Sequence, residues 1–140
     1  MKTILISGAA GFIGSNLAYR LYKENNKIIL IDDFSYGKEV NLKFSDVNLN
    51  DIIYRKSVLD INAIEEIFKN NKIDIVYHFA AISVLPDCQN NPISAVDVNV
   101  KGTAVLLEMS RKYGVSNFIF ASSSAVYENN TEFPLVENVK

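Results

Sequence analysis

The chain has 140 residues, of which 49% are hydrophobic and 21% are charged, and its net charge at pH 7 is −2. These values are typical of one globular domain with a substantial core. The basic residues are scattered, so we expect neither a nucleic-acid surface nor a membrane anchor. No apolar run is long enough for a transmembrane helix, and we expect no signal peptide. The single cysteine, Cys88, excludes an internal disulfide and indicates a reducing, cytoplasmic location.

The chain opens with the pattern of a strand, a glycine turn and a helix. Residues 4–6 are continuously apolar, as in a parallel strand that is covered on both faces. Gly8, Gly11 and Gly14 follow this run. Apolar residues then recur at helical spacing, which predicts a buried helix face of Ile13, Leu17 and Leu21. Glycines let a backbone approach phosphate, and a helix N-terminus offers free N–H groups, so the pattern predicts a site for a dinucleotide pyrophosphate.

An acidic residue stands where a dinucleotide site needs one. A second apolar strand is predicted over residues 27–31 and is followed by Asp32, which lies 18 residues beyond Gly14. This is close to the spacing of ~20 residues at which an acid reaches the adenosine ribose. Asp33 comes next, and two carboxylates near the ribose 2′ position would repel a 2′-phosphate, so NAD is predicted rather than NADP. The plain alternative is a βαβ unit with a glycine turn and a surface aspartate.

Strand and helix patterns continue to alternate along the chain. The elements predicted after the second strand are a weak helix at 38–44, a strand at 51–55, a helix opened by a capping box at Asn62 and Glu65, a strand at 73–79, a loop between Pro86 and Pro92, a helix at 94–113 and a strand at 117–121. Ile64, Ile67 and Phe68 should form the buried face of the helix that follows the capping box. Five strands alternating with helices indicate a doubly wound parallel α/β sheet.

The residues that follow the fourth and fifth strands are of special interest, because ligands of such sheets bind beyond the carboxyl ends of the strands. His78 lies in the fourth predicted strand, and its simplest interpretation is a polar contact without a catalytic role. Ala80 and Ala81 come next and leave room for a flat cofactor. The serines at 122–124 follow the fifth strand and would place hydroxyl groups near the reacting end of that cofactor. The alternative is a serine-rich turn.

Several segments together resemble the NAD-dependent sugar-nucleotide epimerase/dehydratase family, a branch of the extended short-chain dehydrogenase/reductases. Within that family the chain is most similar to the UDP-glucose and UDP-N-acetylglucosamine 4-epimerases. The segments that carry the likeness are Gly8-x-x-Gly11-Phe12-Ile13-Gly14, Asp32-Asp33-Phe34-Ser35-x-Gly37, Asp60-Ile61, His78-Phe79-Ala80-Ala81, Asn99-Val100-x-Gly102-Thr103 and residues 118–127. They keep the family's order over nearly the whole chain. The resemblance implies a Rossmann-like fold.

The resemblance also implies NAD as the cofactor and no metal site. Asp32 would hold the adenosine ribose, and Asp60 and Ile61 would flank the adenine. Asn99 would belong to a polar network behind the catalytic groups. Ser123 takes the place of the family's catalytic serine or threonine, whose hydroxyl hydrogen-bonds the reacting sugar oxygen. The residues expected to bind the cofactor are Gly8, Gly11, Phe12, Ile13, Gly14, Asp32, Asp33, Phe34, Ser35, Gly37, Asp60, Ile61, Phe79, Ala80, Ala81, Asn99 and Ser122.

The implied reaction is epimerisation of a nucleotide sugar, with a UDP-sugar as the expected substrate and hydride transfer at sugar C4 through bound NAD. Family dehydratases carry Asp-Glu directly after the catalytic serine or threonine, where this chain has Ser124 and Ala125, and this favours epimerisation. Glu128 departs from the glycine that is usual in the family. A dehydratase or reductase of the same family and a non-catalytic dinucleotide-binding module are the alternatives.

The family's catalytic Tyr-x-x-x-Lys pair is expected beyond Lys140. Residues 1–140 are therefore interpreted as an NAD-binding Rossmann domain without the C-terminal substrate domain, and the chain alone is expected to be inactive. Tyr19 and Lys23 have the same spacing, but 100° per residue turns them away from the predicted buried face, so they are interpreted as solvated side chains. The sugar, the nucleotide base and the oligomeric state stay open, with a homodimer as one option.

Overall fold

The fold is a parallel sheet with helices on both faces, seen in a computed structural model that describes residues 1–44, 46–128, 130 and 133–137. The strands are β1 (Thr3–Ser7), β2 (Lys27–Ile31), β3 (Ile53–Tyr54), β4 (Ile75–His78) and β5 (Asn117–Phe120). They pair in the order β3-β2-β1-β4-β5, and every pairing is parallel. The order reverses direction at β1, which confirms the predicted doubly wound sheet. The predicted domain also includes residues 138–140, which lie outside the described residues.

The central strand β1 supplies side chains to two separate cores. Leu5 lies opposite Ile29 of β2 and Val76 of β4, and it packs in the cluster that includes side chains of two helices on that face. Ile4 and Ile6 belong to a second cluster on the other face. Because successive side chains of a strand point to opposite faces, the continuous apolar run of β1 is buried on both.

In the described residues, five α-helices connect or follow the strands. They are α1 (Phe12–Lys23), α2 (Ile61–Asn70), α3 (Leu85–Asn90), α4 (Pro92–Val96) and α5 (Thr103–Lys112), and a π-helical segment (Asp97–Gly102) joins α4 to α5. Single 3-10 turns lie at Glu39–Asn41, Leu49–Asp51 and Ser124–Tyr127. None of the helices in the described part of the chain is long and apolar enough to cross a lipid bilayer.

The buried face of α1 differs from the prediction. Gly14, Ser15 and Ala18 are buried, whereas Ile13 is 61% exposed and Leu17 is half-buried. The physical reason is close packing, since a Cβ on Gly14 would lie 2.2 Å from the carbonyl oxygen of Gly8. Small side chains let the start of the helix approach the sheet, so the prediction is wrong for Ile13, whereas Leu21 is partly buried and packs against the second core.

Several other boundaries also differ; the weak helix predicted at 38–44, for example, is a single 3-10 turn at Glu39–Asn41. The helix α2 is capped by Asp60, whose side chain accepts a hydrogen bond from Ala63 N at 3.1 Å, and not by Asn62. Its predicted buried residues Ile64, Ile67 and Phe68 are confirmed. The segment predicted as a loop after Pro86 forms α3, because proline in a first helical turn costs no hydrogen bond. The predicted 94–113 helix begins two residues earlier, at Pro92, and is interrupted by the π-helical segment.

Candidate cofactor and substrate site

The turn after β1 is shaped by two glycines that have no room for a side chain. Gly8 has a φ of 67°, and a Cβ there would lie 2.6 Å from Ala80 N at the end of β4. Gly14 packs closely against the carbonyl group of Gly8, so a side chain at position 14 has no room either. Gly11 is the N-cap of α1 and offers no side-chain oxygen to the first amides of the helix. The positive end of α1 therefore faces the carboxyl edge of the sheet, where an anion can use it.

Asp32 ties this glycine turn to the loop that follows β2. The side chain is 8% exposed; its Oδ2 accepts from Ala10 N at 2.8 Å, and its Oδ1 accepts from Phe34 N at 2.8 Å. Burial raises the pKa of the Asp32 carboxyl, and these two backbone hydrogen bonds oppose the rise. The loop also approaches through Gly37, where a Cβ would lie 2.7 Å from Ala10 Cβ. Each carboxylate oxygen keeps a second lone pair that a ribose hydroxyl can use.

A cleft of about 420 Å³ opens at this edge of the sheet, a volume within the range of small-molecule and cofactor sites. We call it the cofactor cleft. Nine of the residues predicted to bind the cofactor line it: Gly8, Gly11, Asp32, Asp33, Ser35, Gly37, Phe79, Ala80 and Ala81. The predicted residues outside its lining include Phe12, Ile13, Gly14 and Phe34. Of these, Phe12 and Ile13 begin α1, and the backbone N–H of Phe34 donates a hydrogen bond to Asp32.

The far wall of the cofactor cleft consists of residues other than those predicted. Asp60 and Ile61 lie outside its lining, and Ser57, Val58 and Leu59 are there instead. The carboxylate of Asp60 is engaged elsewhere, because it caps α2 and lies 3.3 Å from Lys56 Nζ. The sequence held a signal for this wall, since the residues just after a strand fall at the carboxyl edge and β3 ends at Tyr54.

A second cavity of about 380 Å³, which we call the serine cavity, adjoins the cofactor cleft. Residues 79–82 line both. The serine cavity brings the predicted residue Asn99 together with the predicted pair Ser122 and Ser123, which lie more than 20 positions further along the chain. Ser123 is exposed, and its Oγ accepts from Ala125 N at 3.2 Å, so it caps the 3-10 turn Ser124–Tyr127.

Behind this shared wall lies a buried chain of hydrogen bonds centred on His78. Its Nδ1 is 2.6 Å from Ser7 Oγ, and its Nε2 is 2.8 Å from Thr103 Oγ1. The Thr103 hydroxyl donates to the Asn99 carbonyl at 2.7 Å, so towards His78 it acts as an acceptor. This assigns the proton of a neutral ring to Nε2, with Nδ1 accepting from Ser7. Burial lowers the pKa of His78 to about 4, which keeps the ring neutral at pH 7.

Asn99 continues this network into the wall itself. Its Oδ1 accepts from Ile82 N at 2.8 Å, and its Nδ2 donates to the Ile82 carbonyl at 2.9 Å. The amide side chain thus pairs with both the N–H and the carbonyl of Ile82, as the backbone of a neighbouring strand would, and holds that residue in place. Asn99 lies in the π-helical segment, a type of helix distortion that is frequent at functional sites.

The side chains of Tyr19 and Lys23 make their contacts outside both cavities. The Tyr19 ring packs edge-on against Phe44, with ring centroids 6.2 Å apart, and Lys23 Nζ lies 5.5 Å from the Tyr19 ring centroid. Lys23 also pairs with Asp46 at 3.7 Å. Neither residue lines the cofactor cleft or the serine cavity. Within the described part of the chain, no three histidine, cysteine or acidic side chains are grouped in the way a metal ion would need.

The parallel sheet, the glycine turn and the acid after β2 together define a dinucleotide-binding Rossmann domain. The chain belongs to the NAD dependent epimerase/dehydratase family, whose family model matches residues 4–140. This confirms the predicted family and its cofactor, NAD.

Named relatives come from both branches of the family. A dTDP-D-glucose 4,6-dehydratase of Dictyostelium discoideum is 39% identical over 130 residues, which are 91% of this chain and 30% of the relative. A UDP-glucose 4-epimerase of Caenorhabditis elegans is 32% identical over 144 residues, covering 96% of this chain and 41% of the relative. The structure of the Bifidobacterium longum UDP-glucose 4-epimerase in complex with NAD+ and UDP has a TM-score of 0.85 at 30% identity, covering 97% of this chain and 41% of that one. The chain thus spans less than half the length of these relatives.

Proposed function

We propose that the chain is the NAD-binding part of a sugar-nucleotide 4-epimerase that acts on a UDP-sugar. The observation that carries this proposal is the shared wall of residues 79–82, which sets the cofactor cleft directly beside the serine cavity. When bound, NAD supplies reversible hydride acceptance at the C4 atom of the sugar. A cytoplasmic location and a homodimer remain predictions.

The residues of the cofactor cleft fit this cofactor. The start of α1 would hold the pyrophosphate through backbone N–H groups, since Gly8 and Gly14 bring the helix to the edge of the sheet. Asp32 would accept from the adenosine ribose with the lone pairs that its backbone bonds leave free. Ser57 and Leu59, rather than Asp60 and Ile61, would lie along the adenine.

Ser123 would hold the reacting sugar oxygen from the serine cavity. Its exposed hydroxyl can donate one hydrogen bond and accept another. A serine hydroxyl is too weak a base at neutral pH to remove the sugar proton by itself. By family resemblance, we assign that step to a Tyr-x-x-x-Lys pair outside these 140 residues. Tyr19 and Lys23 lack any approach to the serine cavity and are not proposed for it.

A dehydratase is the second candidate, because the Dictyostelium relative is 39% identical over 130 residues. Water elimination needs an acid and a base close to the leaving hydroxyl. The two positions after Ser123 are Ser124 and Ala125 at the start of the 3-10 turn, and neither side chain is a competent acid. Epimerisation is therefore the better proposal. Release of a 4-keto-6-deoxy sugar by a longer form of the protein would reverse this choice.

The cofactor proposal is tested by calorimetric titration of the chain with NADH and, separately, with NADPH. We expect NADH to bind about 10- to 100-fold more tightly, because Asp32 and Asp33 would repel a 2′-phosphate. Two cations near the cleft are already paired: the Arg55 guanidinium lies 2.9 Å from the Glu39 carboxylate, and Lys56 Nζ lies 3.3 Å from the Asp60 carboxylate. Equal or tighter NADPH binding would refute the assignment. Asp51→Asn, outside the cofactor cleft, is the matched control.

The chain by itself is proposed to bind NAD without turning over a sugar nucleotide. The measurement is an assay for the 4-epimer after incubation with NAD and UDP-glucose or UDP-galactose. Without a base, we expect a rate at least about 10²-fold below that of a complete site. Appreciable turnover would mean that residues 1–140 hold a base, and Tyr19 and Lys23 would then be the first residues to re-examine.

A further inference from the structure

One hydrogen bond joins a residue that lines the cofactor cleft, Tyr36, to the helix α3. The Tyr36 hydroxyl donates to Asp87 Oδ2 at 2.7 Å, between residues that are 51 positions apart. Tyr36 follows β2, whereas Asp87 lies in α3 after β4. The strands β2 and β4 flank β1 on opposite sides in the sheet. Since the glycine turn follows β1, this bond links the segments on either side of that turn.

Both ends of the bond are held by local structure. On one side, Asp33 Oδ1 accepts from Ser35 N at 3.0 Å and from Ser35 Oγ at 2.6 Å, and Gly37 packs against Ala10. These contacts fix the backbone before and after Tyr36, which itself lines the cofactor cleft. On the other side, Asp87 lies in the first turn of α3, and its backbone N–H donates to the Val84 carbonyl at 3.0 Å.

The bond lies at the surface and can break without unfolding the core. Tyr36 is 52% exposed, and Asp87 is partly exposed. The hydrogen bond to Asp87 raises the pKa of the Tyr36 hydroxyl, so the tyrosine keeps its proton and stays a donor at neutral pH. A contact of this kind adds little to global stability, yet it must open before the two segments can separate.

We propose that Tyr36 and Asp87 form a clasp across the cofactor cleft, and that NAD enters and leaves only after this hydrogen bond breaks. The identity of the ligand rests on the function proposed above. The clasp itself rests on the strand order and on the contact between the two side chains. Removing the clasp should speed both entry and release, since the same barrier is crossed in each direction.

This kinetic pattern separates a clasp from a direct contact with the cofactor. If the Tyr36 hydroxyl bound NAD itself, its loss would raise the dissociation rate, leave the association rate unchanged and weaken affinity by the same factor. A clasp changes both rates together and leaves the dissociation constant nearly constant. Tyr36→Phe is the primary variant, because it removes the hydroxyl without changing charge or ring packing.

The experiment is stopped-flow fluorescence with NADH on the chain and its variants, measuring association directly and dissociation by displacement with excess NAD. For Tyr36→Phe and for Asp87→Ala we expect both rates to rise about 3- to 10-fold, as loss of one exposed hydrogen bond implies. Asp87→Asn keeps an acceptor for the tyrosine and removes the charge, so it should show a smaller rise in both rates. Tyr19→Phe, far from the cleft, is the matched control and should leave both rates unchanged.

A double variant completes the test. Tyr36→Phe combined with Asp87→Ala should be no faster than the faster single variant, because both remove the same bond. Rates that stay at the unaltered values in the single and double variants would overturn the clasp while the proposed NAD site stands. A rise in dissociation alone would overturn it in favour of a direct contact. Failure of the unaltered chain to bind NADH would overturn the proposed function, and the clasp with it.

Discussion

The two halves of the site are built in different ways. The cofactor half, around Gly8, Gly14 and Asp32, is closed by backbone contacts, and Gly14 and Asp32 are buried. The half that follows β5 is open: Phe120 is 54% exposed and Val126 is 66% exposed. The glycine turn is therefore tightly packed, whereas the segment after β5 is largely exposed in the described part of the chain. Substitutions should be costly in the first and cheap in the second, and each prediction below tests this contrast.

The largest effect is expected at the glycine turn. Gly8→Ala forces a left-handed backbone on alanine, at about 1–2 kcal/mol, and presses Cβ against the backbone of Phe79 and Ala80, at about 1–3 kcal/mol more. The distance to Ala80 N would be 2.6 Å if nothing moved. We expect a loss of about 2–5 kcal/mol in the free energy of unfolding in urea, together with weaker NADH binding.

Gly114 provides the matched control for Gly8. Its φ is 70°, close to the 67° of Gly8, but a Cβ there would meet nothing within 4 Å. Gly114→Ala should therefore cost about 1–2 kcal/mol, the backbone contribution alone. Equal losses for the two variants would show that close packing of the turn against β4 contributes nothing, and the contrast between the two halves would lose its main support.

The buried His78 should make stability depend on pH. Its pKa is lowered to about 4 in the folded chain, against an ordinary value of 6.5. Between these values the unfolded chain binds more protons, so stability is complete above pH 6.5 and is lost as pH falls towards 4. From pH 7 to pH 5 this one residue should remove about 2 kcal/mol from the free energy of unfolding.

His78→Gln is the control for this pH dependence, because it keeps hydrogen-bonding groups but cannot titrate in this range. The two proteins should be compared by urea unfolding at pH 5, 6 and 7. The unaltered chain should lose more stability than the variant as the pH falls. If the two losses are equal, the decline belongs to the carboxylates, and His78 does not carry it.

The parts of the site that were predictable are those in which local sequence and fold agree. The apolar run of β1, the glycines and the acid after β2 form one continuous pattern, and the structure brings Gly8, Gly11 and Asp32 to one cleft as expected. The residues were predictable because close backbone approach and strand burial restrict which residue types fit.

The parts that were missed depend on packing between distant segments. Large apolar residues suggested the buried face of α1, yet the start of the helix packs through the small face that begins at Gly14. Residues 56–59 line the cofactor cleft although no motif singled them out, and the contact of Asp60 with the adenine stays a prediction. The bond from Tyr36 to Asp87 joins two loops, and no local pattern predicts such a pair.

A smaller effect is expected at the wall shared by the two cavities. Asn99→Ala removes both hydrogen bonds to the backbone of Ile82, which are 2.8 and 2.9 Å long. The site is only half-buried, so water can replace part of the loss, and we expect a cost of about 1–1.5 kcal/mol. Hydrogen exchange should become faster at the amide of Ile82. Asn16→Ala on the exposed face of α1 is the control, and an unchanged exchange rate at Ile82 would contradict the assigned role.

The smallest effect on the chain is expected at Ser123, on the open side of the site. Its hydroxyl caps a single 3-10 turn through Ala125 N at 3.2 Å, and the residue is exposed. Ser123→Ala should therefore change the free energy of unfolding by no more than about 0.5 kcal/mol and the affinity for NADH by less than about 2-fold. Urea unfolding and NADH titration measure the two quantities on the same samples. A loss as large as that of Asn99→Ala would contradict the open character of this side of the site, because only a buried, well-packed hydroxyl is so costly to remove.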